Sequence, residues 1–173
     1  MISIIAGKYR GRKLFDMKDI HVRPTQAKVR KSVFQILEPF TNLEVLDLFA
    51  GVGTLGLEAL SRGARNVVFV EKNRRAVKVL EKNCTLFTDA NKEVFSTDAY
   101  QFLARYRERK FDIIFADPPY QDSDYPKVKE HILPHLKPGG IFCMEMKKAD
   151  IEEKSVRIKH YGSTQVVFWR AEA

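Results

Sequence analysis

Residues 111–120 have the sequence FDIIFADPPY, an almost continuously apolar, β-prone run that ends in a carboxylate, two prolines and an aromatic residue. The apolar part is typical of a strand that is buried on both faces of a parallel sheet. Asp117 then lies at the carboxyl end of the strand, where ligands bind in open α/β sheets. The two prolines fix φ and withhold N–H groups, so their carbonyls stay free to accept hydrogen bonds. The stretch predicts either a rigid turn or a site for a flat ring that bears an amino group.

Short apolar runs alternate along the chain with segments whose apolar residues recur at helical spacing. This alternation predicts an α/β fold with a doubly wound, mostly parallel seven-stranded sheet that is covered by helices on both faces. Strands are expected at 43–49, 67–71, 93–96, 111–117 and 141–146, and helices near 54–62, 74–87, 99–107 and 125–136. A turn is predicted at 137–140. The last two runs, 156–160 and 165–169, have no helix between them and are expected to form an antiparallel hairpin at the sheet edge.

The first 40 residues have a pattern of their own. The apolar runs 2–5 and 14–15 flank a basic turn and predict a small β-hairpin. A helix is expected next, capped by Thr25, with Lys28 and Arg30 projecting away from its apolar face. We therefore expect a single domain, 1–173, that consists of a basic extension (1–40) and a cofactor-binding catalytic core (41–173).

The positive charge is concentrated at the N-terminus. Residues 1–31 hold nine Lys or Arg against two Asp, which is +7 of the formal net charge of +8. A basic segment that also contains an aromatic residue and a glycine, as residues 8–13 do, favours binding of a polyanion over a merely solubilising face. Nucleic acid is the commonest such partner. The candidate contact residues are Lys8, Arg10, Arg12, Lys13, Arg23, Thr25, Lys28 and Arg30.

The composition argues against several other classes of protein. With 45% hydrophobic and 30% charged residues over 173 positions, the chain has the balance of a globular domain, not of a disordered or membrane protein. No apolar run is long enough for a membrane span and no secretory signal is evident, so the cytoplasm is expected. Cys84 and Cys143 are predicted to be core residues. His131 and His135 lie four residues apart, but no further motif completes a metal site, and no metal is expected.

The loop after the first core strand, residues 47–56, reads DLFAGVGTLG and contains the spacing G-x-G-x-x-G. Glycines between a strand and a helix let the backbone approach a ligand and direct the helix N-terminus at its anionic part. Glu71 ends the next strand, 20 residues after Gly51, where a carboxylate can accept hydrogen bonds from ribose hydroxyls. A tight turn is the alternative for the loop alone. Together, loop and acid predict a nucleoside-type cofactor.

Asp98, at the end of the third strand, and the Asp117 motif, at the end of the fourth, complete a layout that resembles the S-adenosylmethionine-dependent methyltransferases of Rossmann-like fold. An NAD-dependent oxidoreductase is the alternative from a different class. The resemblance implies that the loop holds the methionine part of the cofactor, that Glu71 holds the ribose and that Asp98 with Ala99 holds the adenine. The implied cofactor-binding residues are Asp47, Phe49, Ala50, Gly51, Gly53, Thr54, Gly56, Glu71, Asp98 and Ala99. The implied catalytic residues, Asp117, Pro118, Pro119 and Tyr120, match a [D/N]-P-P-[Y/F/W] motif for methylating an amino nitrogen on a planar group.

The flanking sequence narrows this resemblance. Residues 4–14, 23–25, 29–30, 34–37, 46–51 and 56–64 look like the RsmD family of bacterial 16S rRNA guanine-N2 methyltransferases, in a match that runs from residue 2 to Tyr120. One difference is Lys31, where many relatives carry a glutamate. The resemblance implies a monomer that acts on 16S rRNA or a partly assembled small ribosomal subunit. A DNA adenine-N6 or cytosine-N4 methyltransferase and a catalytically silent RNA-binding module are the alternatives.

The implied chemistry needs neither a metal nor a covalent nucleophile. A sulfonium methyl is already a strong electrophile, so the protein has to position the nucleophilic nitrogen and make its lone pair available. Hydrogen bonds from guanine N2 to the Asp117 carboxylate and the Pro118 carbonyl would favour this, and Tyr120 would stack on the base. Because a paired base cannot reach such a pocket, the target is expected to be flipped out or to lie in a loop.

Overall fold

The computed structural model describes residues 1–17, 24–119 and 124–173, with the side chains of residues 24–26 outside that description. Within these ranges the chain forms five α-helices and nine strands. The helices are α1 Pro24–Leu37, α2 Thr54–Ser61, α3 Arg74–Cys84, α4 Ala99–Arg105 and α5 Tyr125–Ile132. The strands are β1 Ile2–Ser3, β2 Lys13–Leu14, β3 Glu44–Leu48, β4 Asn66–Glu71, β5 Asn91–Ser96, β6 Phe111–Ala116, β7 Leu136–Lys147, β8 Val156–Tyr161 and β9 Thr164–Arg170. None of the described helices is long and apolar enough to cross a membrane.

Seven strands form one sheet in the order β5-β4-β3-β6-β7-β9-β8. The pairs from β5 to β7 are parallel, whereas β9 pairs antiparallel with both β7 and β8. This confirms the predicted mostly parallel sheet and its antiparallel C-terminal hairpin. The strand order reverses between β3 and β6, and such a reversal opens a crevice at the carboxyl ends of the two strands. The loop 47–56 and Asp117 follow these two ends.

The two faces of the sheet carry separate apolar cores because side chains alternate along each strand. Val45 on β3 packs with the N-terminal hairpin and residues of α1, α2 and α3. Its neighbour Leu46 packs on the other side with residues of α4 and α5. Helices on both faces are what the strand and helix alternation predicted.

Several hydrogen bonds hold the N-terminal hairpin to the core, and one buried acid accepts two of them. β1 and β2 pair antiparallel, with Ile2 opposite Leu14. After β1, the backbone N–H groups of Ile5 and Ala6 donate to the Glu58 carboxylate on α2 at 2.9 and 3.0 Å. Glu58 is fully buried, and a buried acid requires such partners. These hydrogen bonds therefore fix the position of the hairpin beside the sheet.

Two predicted boundaries around the last helix were wrong. The helix α5 ends at Ile132, and a 3-10 turn, Leu133–His135, follows it, because Pro134 has no N–H to extend the α-helix. Residues 137–140, predicted as a turn, lie within β7 because Leu136 already pairs with Phe111. These four residues lie opposite Asp112 alone, so three extra residues form an irregular bulge before regular pairing resumes.

The predicted cap of α1 was also wrong, since the helix begins at Pro24 and Thr25 is its second residue. Proline suits the first turn of a helix, where its missing N–H would have no helical partner. The other predicted element ends within the core differ from the observed ones by at most three residues.

Candidate active site

The loop between β3 and α2 is held in shape from below by Asp47. The buried Asp47 carboxylate accepts a hydrogen bond from the Gly56 N–H at 2.9 Å. Burial raises the pKa of Asp47 well above its ordinary range, against the opposing effect of this hydrogen bond. A Cβ at Gly56 would lie 2.3 Å from the Phe69 ring, so this glycine is required for packing.

Gly51 faces an open space above the loop. Gly51 has a φ of 58°, and a Cβ built there would meet nothing within 4 Å. The preceding Phe49 also has a positive φ, 56°, which is uncommon for a bulky residue and marks a functional or strained loop. The loop therefore presents its backbone to an open space in which a ligand can lie.

Glu71 ties the end of β4 to the same loop. One of its carboxylate oxygens accepts the Gly51 N–H at 2.7 Å, and the other accepts the Asn73 N–H at 2.9 Å. Each carboxylate oxygen keeps further lone-pair capacity, so Glu71 can still accept hydrogen bonds from a ligand.

Asp98 has a local structural task at the start of α4. One Asp98 oxygen accepts the N–H groups of Tyr100 and Gln101 at 2.9 and 3.1 Å, which is the arrangement of an N-cap. The flanking residues, Thr97 and Ala99, line the cavity beside Glu71.

Two cavities meet above the carboxyl ends of β3 and β6. The first has a volume of about 290 Å³ and lies between the loop, α1 and the N-terminal hairpin. The second, of about 680 Å³, extends from Glu71 to Pro118 and Pro119. Only three residues line both cavities within the described ranges: Phe49, Asp117 and Glu145. We call the place where these three residues meet the junction.

The cavities bring most of the predicted site residues together. The first is lined by Asp47, Phe49, Ala50, Gly51, Thr54 and Asp117. The second is lined by Phe49, Glu71, Ala99, Asp117, Pro118 and Pro119. Gly53, whose φ is 92°, precedes α2, and a Cβ there would lie 2.4 Å from Leu80, so its role is to support the loop. Tyr120 lies outside the described residues.

The junction carries two carboxylates with unusual electrostatics. Asp117 is exposed to the cavity, but the surrounding protein excludes most of the solvent and, with the neighbouring Glu145, raises the pKa of Asp117 to about 7. Glu145 is half-buried, and burial raises the pKa of its carboxyl group. Within the described part of the chain, neither carboxylate accepts a hydrogen bond or forms an ion pair.

Glu145 is a site residue that the sequence reading missed. It lies in the apolar run 141–146, IFCMEM, which was interpreted simply as a core strand. The overlooked signal is the acid itself, because a buried parallel strand rarely carries a charge without a reason. Its place near the carboxyl end of the strand could have identified it as a candidate.

The structure corrects the expected position of Arg30. This side chain does not project away from the apolar face of α1, because it is only 9% exposed and lines the first cavity. Its Nη2 donates to the Ser3 carbonyl at 2.7 Å, while its Nε is buried without a partner among the described residues. Burial lowers the pKa of Arg30. The helical pattern could not show this because β1, which closes over that side of α1, is distant in sequence.

The other candidate nucleic-acid contacts lie at the surface. Lys8 forms an exposed ion pair with Asp89 at 2.9 Å. Arg12 lies over the Tyr9 ring, 5.0 Å from its centroid, and donates to the Leu86 carbonyl. The side chains of Arg10, Lys13 and Lys28 are exposed. Arg23 and the side chain of Thr25 lie outside the described residues.

The two histidines have structural partners. His135 is buried with its Nε2 2.8 Å from the Leu103 carbonyl oxygen, whereas Nδ1 of His131 lies 2.9 Å from the Lys127 carbonyl oxygen. Cys84 and Cys143 are buried and unpaired, as predicted, and burial raises the pKa of Cys84 to about 11. No group of three or more metal-ligating side chains occurs in the ranges that the structure describes.

Comparison with known proteins identifies the family. The model of the family described as Conserved hypothetical protein 95 matches residues 2–170. The Ribosomal RNA small subunit methyltransferase D of Escherichia coli K12 is 40% identical over 121 residues, which cover 69% of this chain and 61% of that protein. This chain thus spans less than two thirds of the length of that relative.

Solved structures share the fold over a greater length. The protein yhhF from Escherichia coli has 30% sequence identity and a TM-score of 0.87, and the match covers 99% of this chain and 98% of that one. A T. thermophilus 16S rRNA N2 methyltransferase, RsmC, in complex with AdoMet and guanosine has 23% identity and a TM-score of 0.69, over 90% of this chain and 45% of that one. The second similarity concerns the fold alone. On the match to the family model over nearly its whole length, the chain belongs to the RsmD family that its motifs resemble.

Proposed function

We propose that this protein is an S-adenosylmethionine-dependent rRNA methyltransferase that methylates the exocyclic N2 of a guanine in 16S rRNA. The observation that carries the proposal is the junction, where the Asp117 carboxylate faces both cavities without a partner among the described residues. The name of the Escherichia coli relative supports rRNA as the substrate.

The cofactor fits across the two cavities. Glu71 would accept hydrogen bonds from the ribose hydroxyls, and Ala99, with Asp98 as the cap behind it, would flank the adenine. The methionine part would lie along the loop 47–56, over the open space at Gly51. When bound, S-adenosylmethionine supplies an electrophilic methyl group. The AdoMet complex of a protein with this fold supports the assignment over NAD(H).

Asp117 would hold and deprotonate the target nitrogen. Its carboxylate and the Pro118 carbonyl would accept the two N–H groups of guanine N2, which directs the lone pair of that nitrogen toward the methyl group. As the N–C bond forms, the S–C bond breaks and sulfur keeps its electron pair. The nitrogen then loses a proton, and a carboxylate with a pKa of about 7 is matched to accepting it near neutral pH.

Delivery of the base requires RNA outside a continuous duplex, because a paired guanine cannot present N2 inside the cavity. The exposed side chains Arg10, Lys13 and Lys28 would bind the phosphates around it. The N-terminal hairpin that carries the first two is fixed to α2 through Glu58, so these cations have a defined position relative to the junction.

The test is to incubate the protein with labelled S-adenosylmethionine and, separately, 16S rRNA, small ribosomal particles and DNA. We expect an RNA-containing substrate to become labelled, with the label in N2-methylguanosine and in no other nucleoside. Label in N6-methyladenine or N4-methylcytosine of DNA would support the alternative methyltransferases of the same fold. In parallel calorimetry, binding of NADH but not of S-adenosylhomocysteine would overturn the cofactor assignment.

A further inference from the structure

Two carboxylates stand side by side at the junction because of strand register. β6 and β7 are parallel neighbours, and Ala116 is paired with Met144. The next residues along the two strands are Asp117 and Glu145. Adjacent strands lie about 4.8 Å apart and residues in register point to the same face of a sheet. Both side chains accordingly line both cavities.

These two acids differ from the other acids around the cavities. Asp16, Asp47 and Glu71 line the cavities and, like Asp98 beside them, each accept at least one backbone N–H group. Asp117 and Glu145 accept none among the described residues, although burial raises the pKa of both groups. Placing unpartnered carboxylates in a desolvated position costs free energy. A ligand that presents two adjacent donors would relieve that cost.

Guanine presents two adjacent hydrogen-bond donors along one edge, whereas adenine and cytosine do not. Its ring N1 carries a hydrogen and lies next to the N2 amino group, so both neighbouring positions are donors. In adenine and cytosine the ring nitrogen beside the amino group is an acceptor, which a carboxylate would repel. Resting on the function proposed above, we infer that Glu145 accepts the N1–H of the target guanine while Asp117 holds its N2, so that Glu145 determines the choice of base.

An Asp-Pro-Pro motif alone leaves open whether the target is guanine or an adenine or cytosine, and this assignment distinguishes the two cases. Asp117 recognises an amino group of any base, whereas Glu145 recognises the hydrogen on the neighbouring ring nitrogen. A site built around a hydrogen bond strongly rejects an analogue that lacks the partner group, because the buried polar group is then left unpaired.

The matched probe is 2,6-diaminopurine riboside, which keeps the 2-amino group of guanosine but has an unprotonated N1. We would measure binding of guanosine and of this analogue to the protein saturated with S-adenosylhomocysteine. Wild type should prefer guanosine by about ten-fold or more. In Glu145→Gln the side-chain amide can donate to the bare N1, and the preference should fall by about ten-fold. Glu152→Gln, a change of an exposed acid outside both cavities, should keep the wild-type preference.

Three outcomes would decide the inference. Loss of the preference in Glu145→Gln, with unchanged S-adenosylhomocysteine affinity and thermal midpoint, supports it. An unchanged preference in a folded Glu145→Gln overturns it. Equal binding of the two nucleosides by wild type also overturns it, whether or not any variant folds. The proposed function fails separately, if wild type forms no N2-methylguanosine in RNA.

Discussion

The acids around the two cavities fall into two groups. Asp47, Glu71 and Asp98 accept hydrogen bonds from backbone N–H groups and hold the loop and the start of α4 in shape. Asp117 and Glu145, at the junction, have no such partner within the described residues. The same chemical group therefore supports the scaffold at one end of the site and stays available for a ligand at the other. Changes in the first group should alter binding and stability, and changes in the second should alter chemistry.

The cations of the N-terminal hairpin show a weaker form of the same contrast. Arg12 is engaged with the Leu86 carbonyl and the Tyr9 ring, and Lys8 with Asp89. The side chains of Arg10 and Lys13 are exposed and form no hydrogen bond or ion pair among the described residues. An exposed ion pair contributes little to stability. Lys8 can therefore exchange Asp89 for a phosphate more easily than Arg12 can leave its contacts.

The largest expected effect is that of Asp117→Ala. Removing the acceptor for the target amino group should slow methyl transfer about 10²–10³-fold or abolish it, by analogy with the loss of one group that stabilises a transition state. Affinity for S-adenosylmethionine should change little, because the loop and Glu71 are untouched. Single-turnover assays with calorimetry on the same preparation would measure both quantities. Near-normal turnover would mean that the motif is only a turn.

Glu71→Ala should have the opposite profile. It removes the acceptor proposed for the ribose and also frees the Gly51 N–H that now donates to Glu71 at 2.7 Å. Affinity for S-adenosylmethionine should fall by about 1–3 kcal/mol through lost charge-assisted hydrogen bonds. Calorimetry would measure the loss. Glu71→Gln, which keeps an acceptor for the loop, should lose less, and equal losses in the two variants would refute a scaffold role for this side chain.

In the hairpin, replacing Arg10 and Lys13 by alanine should weaken RNA binding more than replacing Lys8 and Arg12. Each phosphate contact to single-stranded RNA contributes about −0.7 to the slope of log affinity against log salt, so the first pair should flatten it by up to about 1.4. All four changes together should flatten it by up to about three units. Filter binding at several salt concentrations would give the slopes. An unchanged slope in the quadruple variant would place the RNA surface elsewhere.

Sequence alone predicted the parts of this molecule that depend on local pattern. The sheet, its C-terminal hairpin and the loop at Gly51 follow from apolar periodicity and glycine spacing, which are local properties. Arg30 and Glu145 could not be placed in the same way. The position of Arg30 depends on β1 closing over α1, and the position of Glu145 depends on the register of β7 against β6. Both are contacts between segments that are distant along the chain.

The raised pKa of Asp117 also makes the stability of the protein depend on pH. The pKa of Asp117 is raised to about 7 in the folded protein by burial and by Glu145, against about 3.9 in an unfolded chain. Between these values the unfolded chain has released a proton that the folded chain still holds. The free energy of unfolding therefore falls as the pH rises through this window. The titratable groups that interact electrostatically with Asp117 are Glu145 and Cys143 on β7 and Asp47 on β3.

The smallest expected effect is thus a stabilisation by Asp117→Asn that grows with pH. The amide has a similar shape and never ionises, so the thermal midpoint of the variant should match that of wild type at about pH 4 and below and exceed it by a few degrees near about pH 8. Thermal unfolding of the cofactor-free proteins at several pH values would measure the difference. Glu152→Gln, which changes an exposed acid outside both cavities, is the matched control. A constant difference between Asp117→Asn and wild type across the window would show that the Asp117 carboxylate is solvated like a surface acid, and would remove the contrast between junction and scaffold.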